Sequence, residues 1–159
     1  MEKYAPGGES RGSGGPLNVG IVADENPLYD ALLAGGIELG LPDNPDYNGA
    51  DQEGIVRTQV TIANGRRMSA AYAYLDPIAG RANLSVQTGA AAERLTFDGK
   101  RCTGVTYRVG GQSRTAEARG EVILCGGAIN SPQLLELSGI GRPEVLAEHG
   151  IEVIGRAHV

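Results

Sequence analysis

A pair of glycines between an apolar run and a helix-forming run is the part of the sequence best suited to chemistry. Residues 121–125 (EVILC) lead directly into Gly126-Gly127-Ala128. A strand that ends in glycines at the start of a helix leaves backbone N–H groups open at the helix N-terminus, which attracts an anion such as a phosphate. Glycines also let a cofactor approach the backbone closely. The same pattern fits a tight strand-to-helix turn that binds nothing.

A strand and a helix must position this turn. Because residues 121–125 are almost wholly apolar, we expect a strand that is buried on both faces, as in an α/β sheet. Ser131 is a good helix N-cap and Pro132 suits the first helical position, so a helix is predicted from there to Gly139. A short helix over residues 143–149, ended by Gly150, and a strand over 151–154 follow.

The preceding segment has the alternation and turns of a β-meander. We predict strands over residues 84–88, 90–97, 102–109 and 112–118. Asp98-Gly99 and Gly110-Gly111 mark the turns between the last three, since glycine adopts the positive φ that tight turns require. These three strands form an antiparallel meander.

The first half of the chain is predicted as a loop followed by mixed elements. Residues 1–16 are rich in Gly, Pro and Ser, which favours a loop or a disordered arm. Asn26 and Pro27 start a helix that ends at Gly40, and Gly35 and Gly36 inside it suggest close packing by a neighbour. Further predictions are a strand over 55–62, a turn at Asn64-Gly65, and a helix from Ser69 that breaks at Asp76-Pro77.

Composition excludes several functional classes. The 159 residues carry 14 Lys+Arg and 19 Asp+Glu, and this net charge of −5 argues against a nucleic-acid partner. No apolar run reaches the roughly 20 residues of a membrane span, and the N-terminus does not resemble a secretory signal, so a cytoplasmic protein is expected. Cys102 and Cys125 are predicted as buried, reduced thiols. Neither has metal-ligand spacing with His149 or His158, so no metal site is predicted.

Residues 127–141 (GAINSPQLLELSGIG) strongly resemble the second signature of the glucose–methanol–choline (GMC) family of FAD-dependent oxidoreductases. Ten constrained positions are met within these fifteen residues: Gly127, Ala128, Ser131, Pro132, Leu134, Leu135, Ser138, Gly139, Ile140 and Gly141. The resemblance covers roughly residues 11–154 and is closest to the choline-dehydrogenase-like branch. It includes the stretches 11–19 (RGSGGPLNV), 38–54, 65–77 and 81–90.

The resemblance implies FAD as cofactor and a small-molecule alcohol as substrate. In this family the flavin accepts a hydride from the carbinol carbon and passes the electrons to an acceptor that the sequence does not identify. Backbone at Ala92 and the turn formed by Cys125, Gly126, Gly127 and Ala128 would lie near the adenosine end of FAD. The loop that contains Asp46, Asn48 and Gln52 would lie nearer the substrate, although Asp46 and Asn48 are also ordinary turn formers.

The expected fold class is α/β (mixed α+β). We expect part of a substrate domain over residues 17–80, and over 81–159 part of a Rossmann-like FAD-binding domain that carries the meander and the signature. A GxGxxG fingerprint and the family's catalytic-His segment are not found, so an interior segment of a larger flavoenzyme is expected. The segment alone is expected to be inactive, to bind negligible FAD and to carry no catalytic residue. The alternative is a non-enzymatic binding module derived from such an enzyme.

Overall fold

A computed structural model describes residues 2–23 and 25–155. The chain divides into two compact units, residues 1–85 and residues 86–159. His158 lies outside the described residues. No helix in the described part of the chain is both long and apolar enough to cross a membrane.

The first unit contains a three-stranded sheet that includes the N-terminal arm. Strand β1 (Glu2–Tyr4) pairs in parallel with β2 (Leu17–Ile21), and β2 pairs antiparallel with β3 (Gln59–Val60). The prediction that residues 1–16 form a loop or disordered arm is therefore wrong at its start. Backbone bonds from Tyr4 N to Gly12 O (2.9 Å) and from Gly15 N to Glu2 O (3.0 Å) fold the glycine-rich turn back onto β1. Local composition does not reveal such long-range pairing.

Helix α1 (Pro27–Glu38) confirms the predicted first helix. The Asn26 side chain accepts a hydrogen bond of 3.0 Å from Leu28 N, and Gly40 follows the helix with φ +89°. Close packing is confirmed at Gly36, where a Cβ would lie 2.3 Å from Ile55 Cδ1. At Gly35 that prediction is wrong, since no atom lies within 4 Å of a Cβ built there.

The predicted strand over residues 55–62 is shorter and interrupted. Only β3 and the two-residue strand β4 (Ile62–Ala63) form, and β4 pairs with β5 (Arg66–Arg67). The turn between β4 and β5 is confirmed, with positive φ at both Asn64 (+51°) and Gly65 (+69°).

The helix predicted from Ser69 is a π-helical turn over Ala71–Leu75 that continues into a 3₁₀ turn over Asp76–Ile78. Ser69 Oγ accepts a hydrogen bond of 3.1 Å from Tyr72 N and so caps its start. The first turn ends at Leu75, which confirms the predicted break at Asp76-Pro77, and Pro77 lies near the first position of the 3₁₀ turn, where proline is tolerated.

The second unit contains the predicted meander. Strands β6 (Ala91–Asp98), β7 (Arg101–Val109) and β8 (Gln112–Glu117) form an antiparallel sheet in that order. Gly99, Gly110 and Gly111 have positive φ in the turns, as predicted. The strand predicted over residues 84–88 does not form, and Val86 there is exposed.

Helices α2 (Gly127–Leu137) and α3 (Pro143–Glu148) complete the second unit. Gly139 (φ +86°) and Gly150 (φ +65°) end them, which confirms the predicted C-termini. The predicted start of α2 is wrong: the helix begins at Gly127, one turn earlier, so Ser131 is not the N-cap and Pro132 lies inside the helix.

Two predicted strands in the second unit do not form. Residues 121–125 make no ladder within the described chain, and Ile123 is 73% exposed where burial on both faces was expected. Apolar composition predicts a buried strand, but no described strand of this unit lies beside the segment. Residues 151–154 are also irregular. An isolated bridge joins Ile140 to Gly155, and Ile154 N donates to Gly139 O at 2.8 Å.

The cores of the two units are small. Leu95 and Leu146 are buried in the second unit, and Tyr4 and Ala73 in the first. Both cysteines are free, but Cys102 is half-buried and Cys125 is exposed, so the prediction of two buried thiols is wrong for Cys125. The apolar run that suggested its burial is the unpaired segment 121–125.

Candidate functional site

The second unit has a groove beside the turn that the sequence singled out. One wall is the start of the meander at residues 90–92, and another is the irregular segment 122–126. Helix α2 supplies the third wall through Asn130, Ser131, Gln133, Leu134 and Leu137. Its volume of about 580 Å³ is within the range of small-molecule sites.

Glycine is favoured at the two positions of the turn, Gly126 and Gly127, for different structural reasons. A Cβ at Gly126 would lie 3.1 Å from Asn130 Cβ and 3.2 Å from Ser131 Oγ, so packing against the first turn of α2 favours glycine there. Gly127 has φ +80°, which favours glycine by backbone conformation, and no atom lies within 4 Å of a Cβ built on it. The face at Gly127 is therefore open to a ligand.

The start of α2 offers backbone donors at this turn. The first four N–H groups of a helix have no acceptor within the helix, and Gly126 provides no side-chain cap. Gly126 (φ −77°, ψ −1°) followed by Gly127 at positive φ is the right-handed to left-handed sequence of a backbone anion nest. Ser131 Oγ accepts the Gly126 N–H at 3.0 Å, so this hydroxyl supports the turn from inside the helix.

The structure brings three of the five predicted cofactor residues to the groove. Ala92, Cys125 and Gly126 line it, whereas Gly127 and Ala128 lie beside it in the first turn of α2. An open groove with small residues on one wall and free helix donors fits the adenosine end of FAD. Sequence reasoning missed the other lining residues, although the alanine run that begins at Ala90 is a visible signal: Ala90, Ala91, Val105, Val122, Ile123, Leu124, Asn130, Ser131, Gln133, Leu134 and Leu137.

A charged cluster holds the meander together next to the Ala92 wall. Glu93 interrupts the regular pairing of β6 with β7. Its carboxylate accepts hydrogen bonds from Ser113 Oγ (2.8 Å) and Arg108 Nε (2.7 Å), and these two bonds, that from Ser113 first, hold the pKa of Glu93 below its usual range. The irregularity at the end of the Ala92 wall is therefore fixed by side chains of the other two strands of the sheet, Arg108 on β7 and Ser113 on β8.

In the first unit, the loop predicted to face the substrate is anchored by its own side chains. Asp46 Oδ1 accepts hydrogen bonds from Arg11 Nη1 (3.1 Å), Gln59 Nε2 (2.8 Å) and the Asn48 backbone N–H (3.3 Å). Asn48 Nδ2 donates to Gln59 Oε1 at 3.0 Å. Gln52 is exposed. Asp46 and Asn48 therefore shape the loop, as turn formers do, and also tie it to β3.

Arg11 is the centre of this network, which sequence reasoning missed. Its side chain is 3% exposed, forms ion pairs with Glu2 and Asp46, and stacks 4.1 Å from the centre of the Tyr4 ring. The Tyr4 hydroxyl accepts a hydrogen bond from Gln59 Nε2 (3.2 Å) and donates one to Pro45 O (3.3 Å). The motif RGSGGPL contained the signal, but its glycines suggested disorder.

This network makes the stability of the first unit sensitive to high pH. Burial, and secondarily the neighbouring Asp46 carboxylate, raise the pKa of Tyr4 above its usual value. The neutral Tyr4 phenol contributes to the free energy of unfolding. This contribution is fully present below about pH 10, the pKa of an unfolded tyrosine, and is lost as pH rises through the higher pKa of the folded state. In a titration of tyrosinate absorbance, Tyr4→Phe is expected to remove a late transition that lies above the usual pKa of tyrosine. Retention of that late transition would contradict the assignment.

Comparisons with known proteins show the family to which this chain belongs. A family model described as GMC oxidoreductase matches residues 2–157. An oxygen-dependent choline dehydrogenase of Staphylococcus saprophyticus is 49% identical over 142 residues, which is 89% of this chain and 25% of that protein. The chain thus spans about a quarter of the length of the curated relatives it matches.

Solved structures show the same fold. The crystal structure of pyridoxine 4-oxidase from Mesorbium loti superposes with a TM-score of 0.89 and 34% identity over 98% of this chain and 31% of that one. An FAD-dependent oxidoreductase from Chaetomium thermophilum has a TM-score of 0.82 and 29% identity over 92% of this chain and 26% of that one. These matches confirm the α/β fold class and the resemblance inferred from residues 127–141, and the chain belongs to the GMC oxidoreductase family, whose cofactor is FAD.

Proposed function

We propose that this chain forms part of a choline-dehydrogenase-like flavoenzyme that oxidises the CH–OH group of a small-molecule alcohol. The observation that carries the proposal is the groove of the second unit, because Ala92, Cys125 and Gly126 line it and α2 begins at its edge. Choline dehydrogenases among the relatives support the choice of an alcohol.

In this proposal residues 81–159 belong to the FAD-binding domain. Backbone at Ala92 would contact the adenine, Cys125 and Gly126 would form the adjoining wall, and the N–H groups at Gly127 and Ala128 would face the adenosine end. When bound, FAD would accept a hydride from the alcohol carbon. The part of this chain is to bind and orient the cofactor, and no catalytic residue is assigned to it.

Residues 17–80 are assigned to the substrate domain. The loop with Asp46, Asn48 and Gln52 would lie on the substrate side. The Asp46 carboxylate is already engaged by Arg11 and Gln59, so its proposed role is to keep the loop in place rather than to take the hydroxyl proton.

Extending the reading frame on both sides and purifying the product tests the proposal. We expect a bound-flavin absorbance band near about 450 nm that bleaches on anaerobic addition of choline or another small alcohol. Reoxidation by oxygen or by a quinone identifies the electron acceptor. A folded product without flavin would favour the non-enzymatic binding module instead. The 159-residue chain alone is expected to bind negligible FAD.

In the extended flavoprotein, Gly127→Val is expected to lower flavin content at least about 10-fold, because a branched side chain would enter the open face and also strain a φ of +80°. Gly111→Val is the matched control, since Gly111 has φ +78° with equally open surroundings but lies in the β7–β8 turn. The measurement is the flavin-to-protein absorbance ratio. Equal flavin loss in both variants would remove the assignment of the 126–128 turn.

A further inference from the structure

We infer that Ser138 is a positioning residue that sets the width of the FAD groove. This inference rests on the proposed function, because it assigns a role to Ser138 at the same groove. Ser138 is not among the groove-lining residues, and follows α2 as its C-cap. It belongs to the signature stretch 127–141, where sequence alone gives it no role.

The Ser138 hydroxyl makes two hydrogen bonds that join two walls of the groove. Its Oγ accepts the backbone N–H of Leu95 in β6 at 2.8 Å and donates to the backbone carbonyl of Leu134 in α2. Leu134 lines the groove, and Leu95 lies three residues after Ala92 on the opposite wall. One hydroxyl therefore connects the helix wall to the strand wall.

The Leu95 N–H depends on this hydroxyl. Strand β6 is at the edge of its sheet, so alternate N–H groups point away from β7 and lack a partner in the ladder. Leu95 is 5% exposed and Ser138 is 3% exposed, so water does not readily replace the bond. A buried N–H without a partner is costly, and the strand would shift to relieve it.

Such a shift would be transmitted directly to the cofactor wall. Residues 90–92 form that wall. In the pairing of β6 with β7, one irregular residue, Glu93, separates Ala92 from Arg94. A change in the position of β6 relative to α2 alters the groove width and therefore the fit of the adenosine end. Loss of the Ser138 hydroxyl should weaken FAD binding more than an equal loss of stability elsewhere in the unit.

The test compares Ser138→Ala, Ser138→Thr and Leu146→Val in the flavoprotein expressed from the extended reading frame. Leu146 is 1% exposed in α3, so Leu146→Val destabilises the second unit by loss of a buried methylene without touching the hydroxyl. The measurements are the Kd of the apoprotein for FAD, from flavin fluorescence, the urea midpoint, and amide hydrogen exchange at Leu95.

Ser138→Ala is expected to raise the Kd for FAD about 10-fold and to speed exchange of the Leu95 amide. Ser138→Thr keeps a hydroxyl, so its Kd for FAD and its Leu95 amide exchange rate are expected to match the wild type. Leu146→Val is expected to lower the urea midpoint but to leave the Kd for FAD nearly unchanged. If Ser138→Ala does not fold, Ser138→Cys, whose thiol is a weak acceptor, is expected to show the same two changes.

Two results separate failure of this inference from failure of the proposed function. A wild-type protein that binds FAD, with a Kd in Ser138→Ala no higher than in Leu146→Val, would overturn the role of Ser138 and leave the function intact. A folded wild-type protein that binds no FAD would overturn the proposed function, and the role of Ser138 toward the cofactor with it.

Discussion

Arg11→Met is expected to lower the free energy of unfolding of the first unit by about 3 kcal/mol. The substitution keeps the apolar stem but removes the guanidinium that pairs with Glu2 and Asp46 and stacks on Tyr4. Glu2 and Asp46 remain partly exposed, with side-chain exposures of 31% and 22%, which places the loss at the lower end of the range for breaking a buried pair. Urea denaturation followed by circular dichroism measures it.

Arg57→Met provides a comparison for Arg11. The ion pair of Arg57 with Asp30 is more exposed, at 25% and 65%, so its loss is expected to cost no more than about 1 kcal/mol. A similar urea midpoint for the two variants would show that burial of the Arg11 network does not determine its contribution.

Gly139→Ala is expected to destabilise the second unit by about 3 kcal/mol, since it adds a steric clash to an unfavourable backbone conformation. Gly139 has φ +86°, and a Cβ on it would lie 2.4 Å from the backbone oxygen of Glu152. Ile154 N also donates to Gly139 O at 2.8 Å, so the two segments cannot separate without loss of that bond. Thermal unfolding of the purified protein measures this change in the free energy of unfolding.

Gly150→Ala is the matched control for Gly139→Ala. Both glycines follow a helix with positive φ, but Gly150, at φ +65°, has no atom within 4 Å of a Cβ built on it. Only the conformational cost of about 1 kcal/mol is expected. A similar decrease in the free energy of unfolding in both variants would show that the contact with Glu152 does not determine the cost of Gly139→Ala.

Elements that depend on local chemistry were predicted well from the sequence. Asn26 and Pro27 start α1 because the asparagine oxygen accepts a backbone N–H close by, and Asn64-Gly65 and Gly110-Gly111 form turns because they adopt positive φ. The same local rules singled out the turn at Cys125 and Gly126, whereas Ala92 was predicted from the resemblance alone. All three line the groove, and their role toward FAD stays a prediction.

Features that depend on distant partners were not predictable. The pairing of β1 with β2 and the burial of Arg11 come from residues up to 35 positions apart, such as Arg11 and Asp46. Likewise, Ser131 has the residue type of an N-cap, but Gly127 at positive φ allows α2 to begin one turn earlier. Apolar composition predicted a strand over residues 121–125 but could not show whether a neighbouring strand lies beside it, and no strand forms there.

The unpaired segment 121–125 has a consequence for assembly. It leads directly into the start of α2, exposes Ile123 and makes no ladder in the described chain. A strand laid along it would gain main-chain hydrogen bonds and cover an apolar side chain. The segment can therefore act as a template for sheet growth. Either a correct neighbouring strand or the same segment of a second copy can pair with it, and protein concentration during refolding decides which of the two pairings forms.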